Sequence, residues 1–125
     1  MTTTADTAPL CLLADIPDGN AIEIETLVDG EVESLLVYRH GDEAHAYFNV
    51  CPHAGRRLDY APGKFLVRSG QIICAAHGAT FTAESGDCTA GPCRGDRLRA
   101  VPVGVFDGAV RLDSEEPRTP TGTSD

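Results

Sequence analysis

The sequence lacks any long apolar run, and its first residues carry no basic side chain. No segment of the 125-residue chain approaches the roughly eighteen consecutive apolar residues that a membrane-spanning helix needs. The opening stretch MTTTADTAPL contains no Lys or Arg and no apolar core, so it does not have the pattern of a secretory signal. We therefore expect a cytoplasmic protein with no membrane contact, folded as one domain with a modest core.

Basic residues are few, with ten Lys and Arg against nineteen Asp and Glu, which gives a net charge of −9. So acidic a chain is a poor ligand for nucleic acid. The imbalance is uneven: residues 1–50 hold ten acids and one base (−9), residues 51–112 eight bases and five acids (+3), and residues 113–125 four acids and one base (−3). The basic middle is either an ordinary solvated surface or a collar that orients an acidic partner. The collar would consist of Arg56, Arg57, Lys64, Arg94 and Arg97.

The sequence also shows no pattern of a long amphipathic helix. Its number of cysteines is odd. Short apolar runs alternate with Gly, Asp and Pro, which predicts a small all-β domain. Five cysteines in a chain without a signal argue against a secreted disulfide framework and favour free thiols or metal ligands. We expect residues 1–8 and 113–125 to be disordered. The predicted strands cover residues 10–14, 21–28, 31–39, 44–50, 65–68, 71–74, 80–83, 98–105 and 109–112.

Two short boxes of cysteine and histidine supply four candidate metal ligands. Each box directly follows a predicted strand, and a glycine follows each histidine, where the backbone can pass close to a bulky inorganic group. Two thiolates and two imidazoles can bind tetrahedral zinc or a [2Fe–2S] cluster in which histidines replace two cysteines on one iron. The ligands are Cys51 and His53 in CPHAG, and Cys74 and His77 in CAAHGATF.

The two boxes resemble the Rieske iron–sulfur signature, C-x-H followed after a variable gap by C-x-x-H-G. The resemblance covers roughly residues 9–112, which we take as the domain. It implies an all-β, Rieske-like antiparallel β-sandwich with a small cluster-binding subdomain at one end, and one [2Fe–2S] cluster. Carried over to this chain, the inner iron is held by Cys51 and Cys74, and the outer iron by His53 and His77.

The resemblance further implies a soluble, monomeric Rieske-type ferredoxin. It would carry single electrons from a reductase to an oxygenase or similar enzyme, with both partners docking at the His53/His77 end. Rieske oxygenases add a large mononuclear-iron domain, for which this chain leaves no room, so we expect a carrier without catalytic residues rather than an enzyme. Three alternatives stay open: a small subunit like that of nitrite reductase, a redox-sensing or regulatory module, and a structural zinc module.

The remaining cysteines lie outside the two boxes. Cys88 and Cys93 stand in GDCTAGPCRGDRL, which the resemblance identifies with a proline-containing third loop over the cluster. Two packing cysteines are the first interpretation, and a local disulfide or a redox-responsive thiol pair is the second. Cys11 is interpreted as a small buried hydrophobe, whereas His40 is expected in a turn and His45 on an exposed strand, neither as a ligand.

Departures from the high-potential members of the family predict a low reduction potential. Those members carry a disulfide where this chain has Arg56 and Ala76, and cluster-bonding hydroxyls where it has Ala79 and Phe81. Without these stabilisers of the reduced state, we expect a midpoint on the order of −150 mV, at the lower end of the Rieske range. Protein-film voltammetry measures this value, and a midpoint well above roughly 0 mV would contradict the expectation.

Overall fold

The structure is a computed structural model that describes residues 9–28, 30–52, 57–61, 63–74, 78–91 and 95–112. Within these ranges the regular secondary structure is β-strand, apart from one helical segment, the 3-10 turn Leu13–Asp15. The strands are β1 (Cys11–Leu12), β2 (Ala21–Val28), β3 (Glu31–His40), β4 (Glu43–Phe48), β5 (Leu66–Arg68), β6 (Gln71–Ile73), β7 (Thr80–Thr82), β8 (Cys88–Ala90), β9 (Ala100–Val101), β10 (Val103–Phe106) and β11 (Ala109–Leu112).

The strands form three antiparallel sheets, in the orders β1-β11-β10, β2-β3-β4-β9 and β5-β6-β7-β8. The first two sheets enclose one apolar core, to which Leu35, Val37, Val101 and Val110 contribute. The third sheet, which carries the second box, packs through a separate core. The all-β prediction of a sandwich with a small subdomain is therefore confirmed.

Strand β3 belongs to both cores because successive side chains of a strand point to opposite faces. Leu35 and Val37 lie in the sandwich core, whereas Leu36 and Tyr38 lie in the core of the subdomain. All four are almost completely buried. The continuous apolar run LLVY thus marks a strand covered on both faces, and β3 is the wall that the two parts of the molecule share.

Two tight hairpins connect strands that the sequence predicts as neighbours along the chain. Ser69 and Gly70, and likewise Asp107 and Gly108, have positive φ at both central positions. This is the conformation of type I′ turns, whose twist matches that of paired antiparallel strands. The first hairpin joins β5 to β6, and the second joins β10 to β11.

Other predicted boundaries are wrong. Residues 98–105 do not form one strand, because Pro102 has no N–H to donate to a sheet. On either side of it, β9 pairs with β4 and β10 pairs with β11, so the chain changes sheets at the proline. Residues 88–90, predicted as loop, form β8 against β7. The first strand is only Cys11–Leu12, because the 3-10 turn replaces the rest.

The expected disorder of residues 1–8 and 113–125 concerns segments outside the described residues. None of the described helices is long and apolar enough to cross a membrane.

Candidate metal centre

The two cysteines of the boxes lie inside the subdomain core. Cys51 follows the end of β4, and Cys74 directly follows β6. Neither has any exposed surface, and both belong to the same apolar cluster. Their partners in the predicted ligand set, His53 and His77, lie outside the described residues. The structure therefore places the two predicted sulfur ligands in one core, while the two predicted imidazole ligands lie outside the described residues.

The second box is tied together at its base by backbone hydrogen bonds. The Cys74 N–H donates to the Ala79 carbonyl at 2.7 Å, and the Gly78 N–H donates to the Cys74 carbonyl at 2.9 Å. The segment after β8 closes on the same backbone, because a Cβ on Gly91 would meet the Ala79 Cα at 2.8 Å. Only glycine fits this approach, at a φ of +94° that other residues rarely adopt.

The first box is tied at its base by a side chain, Asn49. Its Oδ1 accepts a hydrogen bond from the Leu58 N–H at 2.9 Å, across residues 51–57. Its Nδ2 donates to Ser34 Oγ at 3.1 Å and to Asp59 Oδ2 at 3.4 Å. Asn49 is buried as a whole residue, and the side chain of its partner Asp59 is only 3% exposed. Since an unpaired amide in this position would be costly, its full set of partners fixes where the box begins and ends.

An ionic network extends this tie to the large sheet. The Arg57 guanidinium donates to Asp59 Oδ2 at 2.7 Å and to Glu23 Oε2 at 2.9 Å. The Ser34 hydroxyl donates to the same Glu23 oxygen at 2.6 Å. Arg57 lowers the pKa of Asp59, and the bonds from Ser34 and then Arg57 lower the pKa of Glu23. The chain beyond the first box is thereby attached to β2 and β3.

Sequence reasoning missed this network, although one signal for it is present. In β4 the side chains alternate, and Asn49 continues the face on which Tyr47 is buried. A polar residue at an inward position of a predicted strand indicates an internal hydrogen-bond network. The Tyr47 hydroxyl bonds the Ala83 carbonyl at 2.7 Å, and burial raises the pKa of Tyr47 to about 12.

The basic side chains of the proposed collar are only partly free to contact an acidic partner. Arg57 is engaged by two carboxylates, and Arg97 pairs with Asp87 at 2.6 Å. Lys64 is exposed, while Arg56 and Arg94 lie outside the described residues. Two of the five positive charges are thus compensated within the molecule, which weakens the interpretation as a docking surface for an acidic partner.

The remaining cysteines and histidines depart in part from expectation. Cys88 is disulfide-bonded, so its interpretation as a packing thiol is wrong; Cys93 lies outside the described residues. Cys11 is half-buried beside the sandwich core, and burial raises its pKa. His45 is not an exposed residue, since its Nε2 is buried and has no hydrogen-bond partner in the part of the chain that the structure describes.

The described donors fit a cluster with thiolate ligands. Leu58, Ile72, Ala79 and Phe81 surround the cysteines with apolar groups in the same core, and buried thiolates need a metal or other cation to compensate their charge. In the described ranges, which omit both histidines, three or more His, Cys, Asp or Glu side chains do not converge on one metal position. A metal site on this cysteine pair would therefore need further ligands beyond those that the described residues supply.

Comparison with known proteins points to one family. The family model for the Rieske [2Fe-2S] domain matches residues 6–106. The ferredoxin component of the alkene monooxygenase system of Xanthobacter autotrophicus (strain ATCC BAA-1158 / Py2) is 33% identical over 108 residues, which are 85% of this chain and 80% of the relative.

Solved structures agree with this match. The ferredoxin of carbazole 1,9a-dioxygenase from Nocardioides aromaticivorans IC177 has a TM-score of 0.65 and 30% identity, over 85% of this chain and 95% of that one. A chain in the complex of reduced oxygenase and oxidised ferredoxin of carbazole 1,9a-dioxygenase has a TM-score of 0.67 and 25% identity, over 85% and 91% of the two chains.

The ionic network generates a prediction for Asp59→Asn. At neutral pH the variant should lose the visible absorption of its iron–sulfur cluster about 5 to 30 times faster than the wild type. The reason is that the charged hydrogen bond between Arg57 and Asp59 contributes about 1 to 2 kcal/mol. The Asp59 pKa is lowered by folding, so its stabilisation is present above the unfolded value of about 3.9 and is lost as pH falls through the folded value. The ratio of the two bleaching rates should therefore approach one in acid.

Asp18→Asn is the matched control, because Asp18 accepts a hydrogen bond from the Gly41 N–H at 2.8 Å at the other end of β3. Bleaching of this variant should follow the wild type. A ratio for Asp59→Asn that stays constant with pH would show that its carboxylate charge is not what stabilises the box.

The disulfide at Cys88 predicts a thiol count. In unfolded, metal-free protein kept at acidic pH, where thiol–disulfide exchange is slow, three of the five cysteines should react with a thiol reagent, since one disulfide removes two. All five should react after reduction. Five reactive thiols before reduction would show that the isolated protein has no disulfide.

Proposed function

We propose, from the premise that this chain belongs to the Rieske [2Fe-2S] domain family, that its cluster is held by Cys51, His53, Cys74 and His77. The chain carries one Rieske-type cluster and is an electron-transfer ferredoxin, as its relatives are, rather than an enzyme. The observation that best supports this ligand set is that Cys51 and Cys74 are fully buried in one core. Each stands in one of the two boxes that match the family signature.

The protein surrounding the cysteines suits a centre that gains and loses one electron without making or breaking bonds to a substrate. The bound cluster supplies a one-electron redox centre. Apolar neighbours such as Ile72 and Phe81 exclude water from the thiolates. The Asn49 and Arg57 bonds hold the first box against the sheet, while the backbone bonds of Cys74 hold the second. Fixed ligands keep the geometry similar in both oxidation states, which favours rapid electron transfer.

Electrons enter and leave through the histidine side of the site. Both cysteines are completely covered by protein, so the remaining ligands, His53 and His77, are the route to the surface. The donor is a reductase and the acceptor an oxygenase-type enzyme, each docking in turn at this end. The matched relatives are ferredoxins of a monooxygenase and a dioxygenase system, which favours an oxygenase over a nitrite reductase. The protein acts as a monomer in the cytoplasm.

A redox-sensing role is the second candidate, and one observation favours it. Cys88, next to the core that holds Cys74, is disulfide-bonded. A sensor would change its partner interactions with the state of this disulfide, whereas a carrier would transfer electrons at the same rate with and without it. Stopped-flow transfer rates for wild type and Cys88→Ser distinguish the two roles.

The ligand assignment predicts the spectra of single variants. The wild type should contain equal iron and acid-labile sulfide, and its reduced form should give a rhombic electron paramagnetic resonance signal. His77→Cys should retain a chromophore but lower the reduction potential, because a third thiolate adds negative charge to the site. Cys74→Ser should lose most of the iron. The control His40→Gln, whose ring is 3.6 Å from Glu84, should match the wild type.

Zinc in place of iron, or a wild-type spectrum in both ligand variants, would overturn the assignment. Function is tested separately by mixing the oxidised protein with a ferredoxin reductase and its electron donor, a Rieske oxygenase and the oxygenase's substrate. Product should form only when the ferredoxin and a reductase are both present. Product at an equal rate without the ferredoxin would contradict its role as the carrier.

A further inference from the structure

A small surface groove lies at the end of β4, beside the first box. The residues that line it are Glu33, Phe48, Val50, Pro52 and Arg99. Cys51 stands between two of these residues, so the groove adjoins the main chain that carries one predicted thiolate ligand. Its volume is about 130 Å³, well below the roughly 300 Å³ at which sites for small-molecule ligands begin. The groove therefore has room for one side chain of another protein rather than for a cofactor.

The strand register places both charged residues of the groove on the face of the sheet that carries Phe48. The Phe48 N–H donates to the Arg99 carbonyl at 2.9 Å, and the Arg99 guanidinium carbon lies 4.4 Å from the centre of the Phe48 ring. On its other side Phe48 is paired with Leu35. Glu33, two residues before Leu35 on β3, points to the same face. The two charged residues therefore flank the phenylalanine from opposite sides.

Arg99 is a positive charge held in one place and open to a partner. It is exposed and forms no ion pair with any side chain that the structure describes. Stacking on an aromatic ring engages the face of a guanidinium, which leaves the N–H groups in its plane available to a carboxylate. By contrast, Arg57 and Arg97 of the predicted collar are both paired within the molecule. Arg99, which the collar did not include, is thus better suited to bind an acidic group.

Glu33 supplies the opposite charge on the other side of the groove. It is half-buried and likewise has no ion-pair partner among the described side chains, Arg99 included. The apolar residues of the groove remain accessible, since Val50 is 45% exposed and Pro52 is exposed as well. Opposite charges around an apolar centre give the groove a direction, because a partner turned end for end would bring like charges together.

We propose that the groove is a docking site for a redox partner that inserts one apolar side chain flanked by an acidic and a basic residue. This rests on the proposed function as an electron carrier. Arg99 binds the carboxylate of the partner, Glu33 binds its Lys or Arg, and Val50 contacts the apolar side chain. Because the groove adjoins Cys51, a partner seated there is held beside the cluster, in the one orientation that matches both charges.

A charge-exchange variant tests the proposal, because it reverses the direction of the groove and leaves the net charge unchanged. The KM for the ferredoxin is measured with a reductase and an oxygenase that support product formation, first with the oxygenase limiting and then with the reductase limiting. In Glu33→Arg/Arg99→Glu at least one KM should rise about tenfold at low salt, with kcat within about twofold, and approach the wild-type value at high salt, where charges are screened. Val50→Ser should raise the same KM about threefold at both salt concentrations, because it removes an apolar contact.

Two matched variants away from the groove serve as controls. Glu43→Arg/Arg68→Glu exchanges two exposed charges, one at the start of β4 and the other beside the turn between β5 and β6. Leu12→Ser replaces a comparably exposed apolar residue near the far end of β3, since Arg39 bonds the carbonyl of neighbouring Leu13. Both controls should keep each KM within about twofold of the wild type, because neither alters the groove.

Equal effects in the two exchange variants would overturn the proposal, since the position of the charges would then not matter. Unchanged KM values in both groove variants would overturn it as well. Sedimentation tests the other occupant, a second copy of this chain: a wild-type dimer that the groove exchange dissociates would assign the groove to self-association instead.

The visible spectrum and iron content of every variant are measured first. If the groove exchange does not retain its cluster, Arg99→Gln repeats the test with a smaller change, and the KM should then rise about threefold at low salt. A wild type without a cluster or without product formation would contradict the proposed function. A normal cluster and normal turnover with unaffected KM values would contradict only the docking role of the groove.

Discussion

The structure depends on one buried amide, that of Asn49. The first box leaves the large sheet at the end of β4 and returns to the core at Leu58, and the Asn49 side chain joins these two points directly. Because the amide also bonds Ser34 of β3 and Asp59, one side chain sets the distance between a rigid sheet and a ligand loop. Arg57 and Glu23 reinforce the same junction from the surface.

The two boxes are held by different means, for a topological reason. The second box lies between β6 and β7, which are hydrogen-bonded neighbours, so the backbone can close it at Cys74 and Ala79. The first box connects two sheets whose strands are not paired with each other. Backbone hydrogen bonds between paired strands therefore cannot hold the ends of the first box together. The Asn49 side chain, which has both donor and acceptor groups, holds them instead.

Much of this could be predicted from the sequence, and the failures have identifiable causes. The strands at 21–28 and 109–112 and the turn at Ser69-Gly70 follow from local chemistry, because alternation and positive φ are properties of a few adjacent residues. The box residues could be named because their spacing is itself a signal. The sheet change at Pro102 and the short β8 could not be assigned, since they depend on which distant strand lies alongside. The bonds of Asn49 and Arg57 join residues from β2, β3 and the loop, and no local pattern contains that information.

The burial of strand β3 on both faces limits which amino-acid substitutions the protein can tolerate. Leu35 and Leu36 are adjacent in the chain but face different cores, and a strand cannot shift to accommodate a larger residue on one side without moving its other side. The sandwich and the subdomain are therefore mechanically coupled through a single backbone. Sequence drift in the interior of the sandwich is constrained by the geometry of the redox site, even at positions that never touch a ligand.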